Sequence, residues 1–573
     1  MQLKSLSISG FRSIQDVSIF FDPSLTIFVG ENGTGKSMVA LALQKLFQQC
    51  TRTGVFDASD HPYGLKVPLR IEADLKLSDD ELAVRIVSSL VPPYAHSALD
   101  QFRVLPGRAE LVMSWLSKQG SDVKVTLSWS DEPPLLTIQW GDFLFSENFV
   151  SFKKELVQQT IDNKPWESIF NYDSPQDLRA YIASQGASLW LQFNMTQRLG
   201  QFFLDTYKRI DEFRVRSSAG RAAVAEESMT GADTASALLN LKIHSDSRQR
   251  DRYEAVVDRF HHLFPRFKIV AVESPPGSNI PDVQFSETDR APLKLGQISS
   301  GVHQILTLLV NIIGRQNFLI FVEHPEQHLH PQAIRFLQSL LAQASKDNQI
   351  IVATHDPHFI DPSAPLSLRR FWALPSEGTK VLGIDSSVSP TQKGQIQTVL
   401  RDIANREVVF ARAVIVVEDQ SQKEFLTAIA PTLGRDMDAH CVTIVSAGGE
   451  DGYKPFWTML DSLGIPYVGL TDKRRWDDTK QYPPDRFFTL DAEIEDYLDQ
   501  QGLKDKHQEV IKQIGKAKPR VAAALGTRLS KSEIPHIYDA VLKAAIDLAT
   551  GQPASASIPK SHLPSSGKLS PER

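Results

Sequence analysis

Eight consecutive residues, Gly30-Glu31-Asn32-Gly33-Thr34-Gly35-Lys36-Ser37, form a pattern whose chemistry is phosphate binding. Glycines let successive backbone N–H groups curl around phosphate oxygens, and a helix starting at the end of the run adds the favourable potential of its N-terminus. Lys36 is placed to reach the β- and γ-phosphates of a nucleoside triphosphate, and the Ser37 hydroxyl to hold magnesium. Gly30, Asn32, Gly33 and Gly35 complete the candidate cradle for ATP and Mg2+.

Three distal segments narrow the class. The apolar run FLIFV at 318–322 ends at Glu323, where a carboxylate directly after a buried strand can accept a hydrogen bond from a magnesium-bound water. His324, Pro325, Glu326 and then His328-Leu329-His330-Pro331 follow it. Upstream, Ile298-Ser299-Ser300-Gly301 opens a helix whose serine and glycine can cap the γ-phosphate of a nucleotide held by another subunit. That geometry predicts at least a homodimer, with isologous pairing of two heads. Downstream, Ala353-Thr354-His355-Asp356 sets an imidazole just beyond the next strand, where it can sense γ-phosphate.

These residues need strands to deliver them. Residues 2–9 alternate through Leu3, Leu6 and Ile8, and 25–29 form a compact apolar run that enters the glycine turn. Residues 67–145 continue as strands and turns. From 146 to 266 the pattern becomes helical, and the strand code resumes at 267–273, 318–322 and 349–353 with helices at 300–313 and 332–345 between. The expected α/β architecture is one head in two lobes, 1–145 and 267–385, separated by a helical insertion at 146–266 suited to dimer contacts. A second α/β unit spans 408–500, a helical region 501–550, and a Ser/Pro/Gly/Lys-rich tail 551–573 that buries too little surface to order.

Composition bounds the rest. A chain of 573 residues exceeds one hydrophobic core. A net charge of −6 argues against a uniformly basic nucleic-acid coat, though not against a local basic groove. Cys50 and Cys441 are too few for a disulfide framework, which points to a reducing cytoplasm. The N-terminal residues carry no secretion pattern, and no run is apolar and long enough to span a bilayer, so no membrane is expected.

Phe11-Arg12-Ser13, GENGTGKS, Ser299-Ser300-Gly301, VEHPEQHLHP at 322–331 and ATHDPHF at 353–359 together resemble the ABC ATPase head of the overcoming-lysogenization-defect (OLD) family. That family is related to chromosome-maintenance and break-repair ATPases. The resemblance implies that Arg12 helps frame the nucleotide, that Ser300 and Gly301 contact a partner's nucleotide, and that His355 is the switch histidine. One position departs. The family's second acid before the proline, which polarises attacking water, is His324 here. A neutral imidazole can act as a base but delivers less negative field beside magnesium and phosphates, with Glu326 as the substitute at hand. Tight ATP binding with slow hydrolysis is expected.

The unit after 408 resembles the family's Toprim domain, whose carboxylates hold divalent metals against phosphate. Val417-Glu418 keeps the first acid, but Asp419 replaces the following glycine and Gln422 the next glutamate. Gly448-Gly449 is present. Asp472 occupies the first aspartate of the Asp-x-Asp pair, whereas the second is Arg474 inside Lys473-Arg474-Arg475; Glu495 is a further acid the family supplies. Two readings follow. In one, Glu418, Asp472 and Glu495 hold one magnesium and the basic triplet grips DNA. In the other, a guanidinium at a dication site disables metal binding, and the domain recognises DNA or an effector protein. The resemblance implies a role against phage or foreign DNA.

Overall fold

The computed structural model describes residues 1–51, 60, 68–77, 122–129, 135–140, 143–148, 200–204, 206–210, 234–274, 281–287, 291–374, 378–384, 388–472 and 486–551. They form two compact units: Met1–Phe359 with Phe371–Val381, and Ile360–Arg370 with the chain from Leu382 onward.

The first unit opens with β1 (Gln2–Phe11), β2 (Ile14–Phe20) and β3 (Leu25–Gly30). β1 buries Leu3, Leu6 and Ile8 on one face, the alternation of a strand with one wet side. It pairs antiparallel with β2 and with β4 (Leu69–Lys76), and the sheet continues through β5 (Asp122–Trp129), β6 (Leu135–Trp140) and β7 (Phe143–Asn148). A small antiparallel sheet gathers β9 (Phe267–Glu273), β10 (Asp282–Glu287) and β11 (Leu293–Lys294).

β3 joins a different sheet, of order β15-β14-β3-β13-β12-β8. Its members are β8 (Tyr207–Ile210), β12 (Leu319–Glu323), β13 (Gln349–Ala353), β14 (Leu368–Leu374) and β15 (Gly378–Gly383). Every residue of β12 and β13 is buried, because helices cover both faces of these parallel strands. On one face α1 (Lys36–Cys50) packs Val39, Leu43 and Phe47 into a core with Phe28, Phe321 and Phe371. On the other, α2 (Ser300–Ile312) and α3 (Pro331–Ala344) cover Ile320, Val322 and Ile350. Each such buried side chain contributes about 1.5–3 kcal/mol. The register sets Glu323 beside Ala353 and Ala353 beside Phe28, so β3, β12 and β13 end at one edge, where open α/β sheets bind ligands.

β8 lies within the stretch that reads as helical. Among the described residues of that stretch, Tyr207–Ile210 is extended, as is the end of β7 up to Asn148; Tyr207 and Ile210 are buried beside β12, and four residues are too few to show a strand period in sequence. Residues 149–199 and 211–233 of that stretch, and 552–573 of the tail, lie outside the described residues.

The second unit is built on a parallel sheet of order β17-β16-β18-β19, formed by β16 (Ala413–Val417), β17 (Val442–Ser446), β18 (Tyr467–Asp472) and β19 (Phe487–Leu490). Ala413, Ile415 and Val417 pack with Phe425 and Leu426 of α4 (Gln420–Ile429) and with Tyr538 and Val541 of α5 (His536–Ala549). The apolar run AVIVV is thereby wholly buried.

Candidate functional site

β3 delivers the chain into the glycine loop at Gly30, whose φ is +132°. A Cβ there would lie 2.0 Å from the Phe371 carbonyl oxygen, so β14 admits only glycine. Gly35 caps α1 in the left-handed region without a side-chain hydrogen bond, which leaves the N-terminal N–H groups of the helix facing the loop. Lys36 Nζ donates to the carbonyls of Gly30 at 2.8 Å and Glu31 at 2.7 Å. Burial pushes its pKa down to about 8, against the charges of Glu326 and Glu31, which raise it. A cavity of about 290 Å³ is lined by Asn32, Gly33, Gly35, Lys36 and Ser37 of the loop and helix start, together with Arg12, His324 and His355. Arg12 is held there by buried Asp60, with Nε donating at 3.0 Å.

Part of that lining is a histidine pair with a carboxylate behind it. The His324 N–H donates to the Ala353 carbonyl at 2.8 Å, and the residue takes a positive φ of 47°. Its ring stacks on His355 with centroids 5.2 Å apart and planes within 4°. Glu326 accepts from the Thr354 hydroxyl at 2.8 Å and the His355 N–H at 2.9 Å, and lies 3.6 Å from His324 Nδ1. Burial alone would raise the Glu326 carboxyl; the nearby His324 imidazole and hydrogen bonds from backbone N–H groups and the Thr354 hydroxyl outweigh it and hold the pKa below the ordinary range. His355 is pushed down to about 4, first by burial and then by the charges of Lys36 and His324. A neutral imidazole therefore stands at the cavity, its Nε2 buried and without a hydrogen bond. An orphaned polar atom on a residue that lines the cavity with a phosphate-type loop fits a ligand that brings its own donors and acceptors.

Glu323 ends β12 as expected but is engaged: Arg209 Nε of β8 donates to it at 2.8 Å, and Arg209 also donates to Gln44 of α1 at 3.1 Å. Ser299 and Ser300 stand exposed at the start of α2. A Cβ on Gly301 would meet the His328 carbonyl at 2.5 Å, and Gln304 Nε2 donates to the Pro325 carbonyl at 2.7 Å. The Ser-Ser-Gly helix start is thus fastened to the loop that carries His324 and Glu326. Arg209, Thr354 and Gln304 have no role in the sequence pattern: Arg209 lies outside every motif, Thr354 stands within ATHDPHF beside the histidine that draws notice, and Gln304 follows the Ser-Ser-Gly start.

In the second unit Glu418 follows β16 and Asp472 ends β18, with Val417 paired to Leu470 between those strands. The Asp419 side chain caps α4 by accepting from the Gln422 N–H at 2.9 Å, and Gln422 Oε1 accepts from the Glu418 N–H at 3.1 Å. Glu495 lies 3.5 Å from Lys518 Nζ. The Asp472 side chain and residues 473–475, Arg474 included, lie outside the described residues. Among the described residues no group of three or more His, Cys, Asp or Glu is arranged to hold a metal. No described helix is long and apolar enough to cross a membrane.

Comparison with known families matches three segments of the chain. An AAA ATPase domain matches residues 1–89, and an AAA domain of the AbiEii-toxin, type IV TA system kind matches 130–361. The TOPRIM domain of overcoming lysogenization defect protein-like chains matches 409–473. The chain is 23% identical to the "OLD nuclease" of Thermus scotoductus over 97% of both chains. It is 21% identical to the "Old nuclease" of Escherichia phage P2, over 82% of this chain and 77% of that one. Among solved structures, the C-terminal region of the Xanthomonas campestris pv. campestris OLD protein aligns at 22% identity with a TM-score of 0.23, covering 25% of this chain and 96% of that one.

Proposed function

We propose that this chain, which is an ABC-type ATPase of the overcoming-lysogenization-defect family with a C-terminal Toprim-like domain, binds ATP with Mg2+ at the glycine loop and hydrolyses it slowly. The observation that carries this reading is the stacked His324–His355 pair, with His355 held neutral, lining one cavity together with Lys36 and Ser37. Arg12, Lys36 and the loop N–H groups bind and orient the triphosphate. Ser37 and Glu323 hold magnesium, which supplies charge neutralisation on the phosphates. His355 offers Nε2 to the γ-phosphate, while His324 and Glu326 take the proton of the attacking water. With an imidazole where a carboxylate would polarise that water, the bound state outlasts turnover. Ser300 and Gly301 complete the site of a second copy, so ATP closes two heads into a homodimer or higher homo-oligomer.

In this reading the protein is a cytoplasmic sensor or scaffold against phage or foreign DNA, and the Toprim-like domain recognises DNA or an effector protein. The support is local: Gln422 and Asp419 are used by the backbone, and Glu495 faces an ammonium. The names of the two relatives favour a second reading, an ATP-regulated, metal-dependent DNA endonuclease holding metal on Glu418, Asp472 and Glu495. Two measurements decide. Lys36→Ala should remove most binding of a labelled ATP analogue, and unchanged affinity in the folded variant rejects the site. Plasmid DNA incubated with Mg2+ or Mn2+ should stay intact; robust cleavage that Asp472→Ala abolishes establishes the nuclease instead.

A further inference from the structure

Glu323 ends β12 with a side chain only 5% exposed, and a carboxylate so buried requires a partner. β8 supplies it. The two strands run parallel with Phe321 opposite Arg209, and Tyr207 and Phe321 belong to the core that α1 covers. Arg209, two residues beyond Tyr207, projects to the same face as Glu323. There its guanidinium, 14% exposed, bridges Glu323 at 2.8 Å and Gln44 of α1 at 3.1 Å. A guanidinium keeps its proton at every accessible pH, so the charge of Glu323 is offset permanently and not conditionally.

We propose that Arg209 is a positioning residue that sets the magnesium requirement of the nucleotide site, an inference that rests on the ATP reading above. Glu323 serves a magnesium-bound water only by loosening its pair with Arg209, and until then a positive charge stands next to the place a dication must occupy. Gln44 gives the guanidinium a second anchor, so the exchange needs a side-chain swing and not a break in the sheet. Ser37 and the nucleotide's own phosphates therefore carry most of the hold on the metal. The pair acts in the same direction as His324: both withdraw negative field from the region of the attacking water.

The test is equilibrium binding of a fluorescent ATP analogue to the full chain, with Mg2+ titrated in from a chelated baseline. Arg209→Gln should lower the half-saturating Mg2+ at least roughly threefold, the scale of one charge acting across several ångströms of protein. Arg209→Lys, which keeps the charge, should stay within about twofold of wild type. A folded Arg209→Gln protein with unchanged or higher magnesium demand overturns the proposal. Should that variant fail to fold because its buried carboxylate is left alone, Glu323→Gln and the double variant Glu323→Gln/Arg209→Gln decide, since neither carries that carboxylate. The double variant should need less Mg2+ than Glu323→Gln, and equal demand overturns the proposal. A wild type that binds no analogue at any Mg2+ refutes the nucleotide reading itself; one that binds while Arg209→Gln matches its magnesium demand refutes only the role of Arg209.

Discussion

Lys36 turns pH into a probe of the nucleotide site. Its pKa of about 8 in the ligand-free protein means that the ammonium is about nine-tenths protonated at pH 7 and about one-tenth at pH 9. A triphosphate pairs with the charged form and holds it protonated. Affinity should therefore fall about tenfold between pH 7 and pH 9, equivalent to about 1.4 kcal/mol. The sign for folding is opposite. The unfolded lysine, at 10.5, binds more protons than the folded one between about pH 8 and 10.5, so the stability of the free protein rises with pH across that window while ATP affinity falls. The assay is titration of a labelled ATP analogue at constant Mg2+ from pH 6.5 to 9.5, with circular dichroism to verify folding. Lys36→Arg removes the titration and should flatten the profile. Glu326→Gln removes a charge that raises the Lys36 pKa, so its break should move to lower pH. A wild-type profile flat from pH 7 to 9, or a Lys36→Arg profile with the same slope as wild type, would refute the assignment of Lys36 as the titrating phosphate ligand.

Three further outcomes follow from packing and hydrogen bonding. Gly30→Ala should destabilise the first unit by roughly 2–5 kcal/mol, because the new Cβ meets the Phe371 carbonyl at 2.0 Å on a backbone with φ of +132°; thermal unfolding reads the loss. Gly301→Ala should leave the glycine loop competent for ATP but reduce ATP-dependent dimerisation in light scattering, since its Cβ drives the helix start away from His328. Thr354→Val should cost about 1.5–3 kcal/mol in thermal or denaturant unfolding, because the charged Glu326 loses a donor and the Asp356 N–H loses its acceptor.

How much of this was legible in the sequence differs residue by residue. The glycine loop, β12 and β13 were readable because apolar runs without alternation, bounded by glycine or an acid, have few other folds available. The register that brings Glu323, Ala353 and Phe28 level comes from the pairing of the three strands and was not legible in the runs themselves. Arg209 was not readable. It sits in a four-residue edge strand inside a stretch of helical character, and its meaning depends on which strand it pairs with. Glu326 was visible as an acid near the site, but its anchoring by Thr354 and the His355 backbone comes from tertiary contact between two loops.

The same distinction bears on the second unit. Asp419 and Gln422 read in sequence as a lost glycine and a lost glutamate, a purely negative description. In the fold both have local work: one caps the helix after β16, the other accepts the N–H of Glu418. A glutamate at 422 could accept that N–H as well, so the backbone bond does not by itself require the amide. What the amide changes is charge: position 422 keeps the turn's shape without a carboxylate of its own, while the Asp419 carboxylate is engaged in capping α4. Holding a divalent cation demands negative charge as well as shape. A strand-end turn that is neutral at position 422 and uses its added acid as a helix cap is suited to binding a partner whose own groups complete it, and less suited to gathering metal ions on its own.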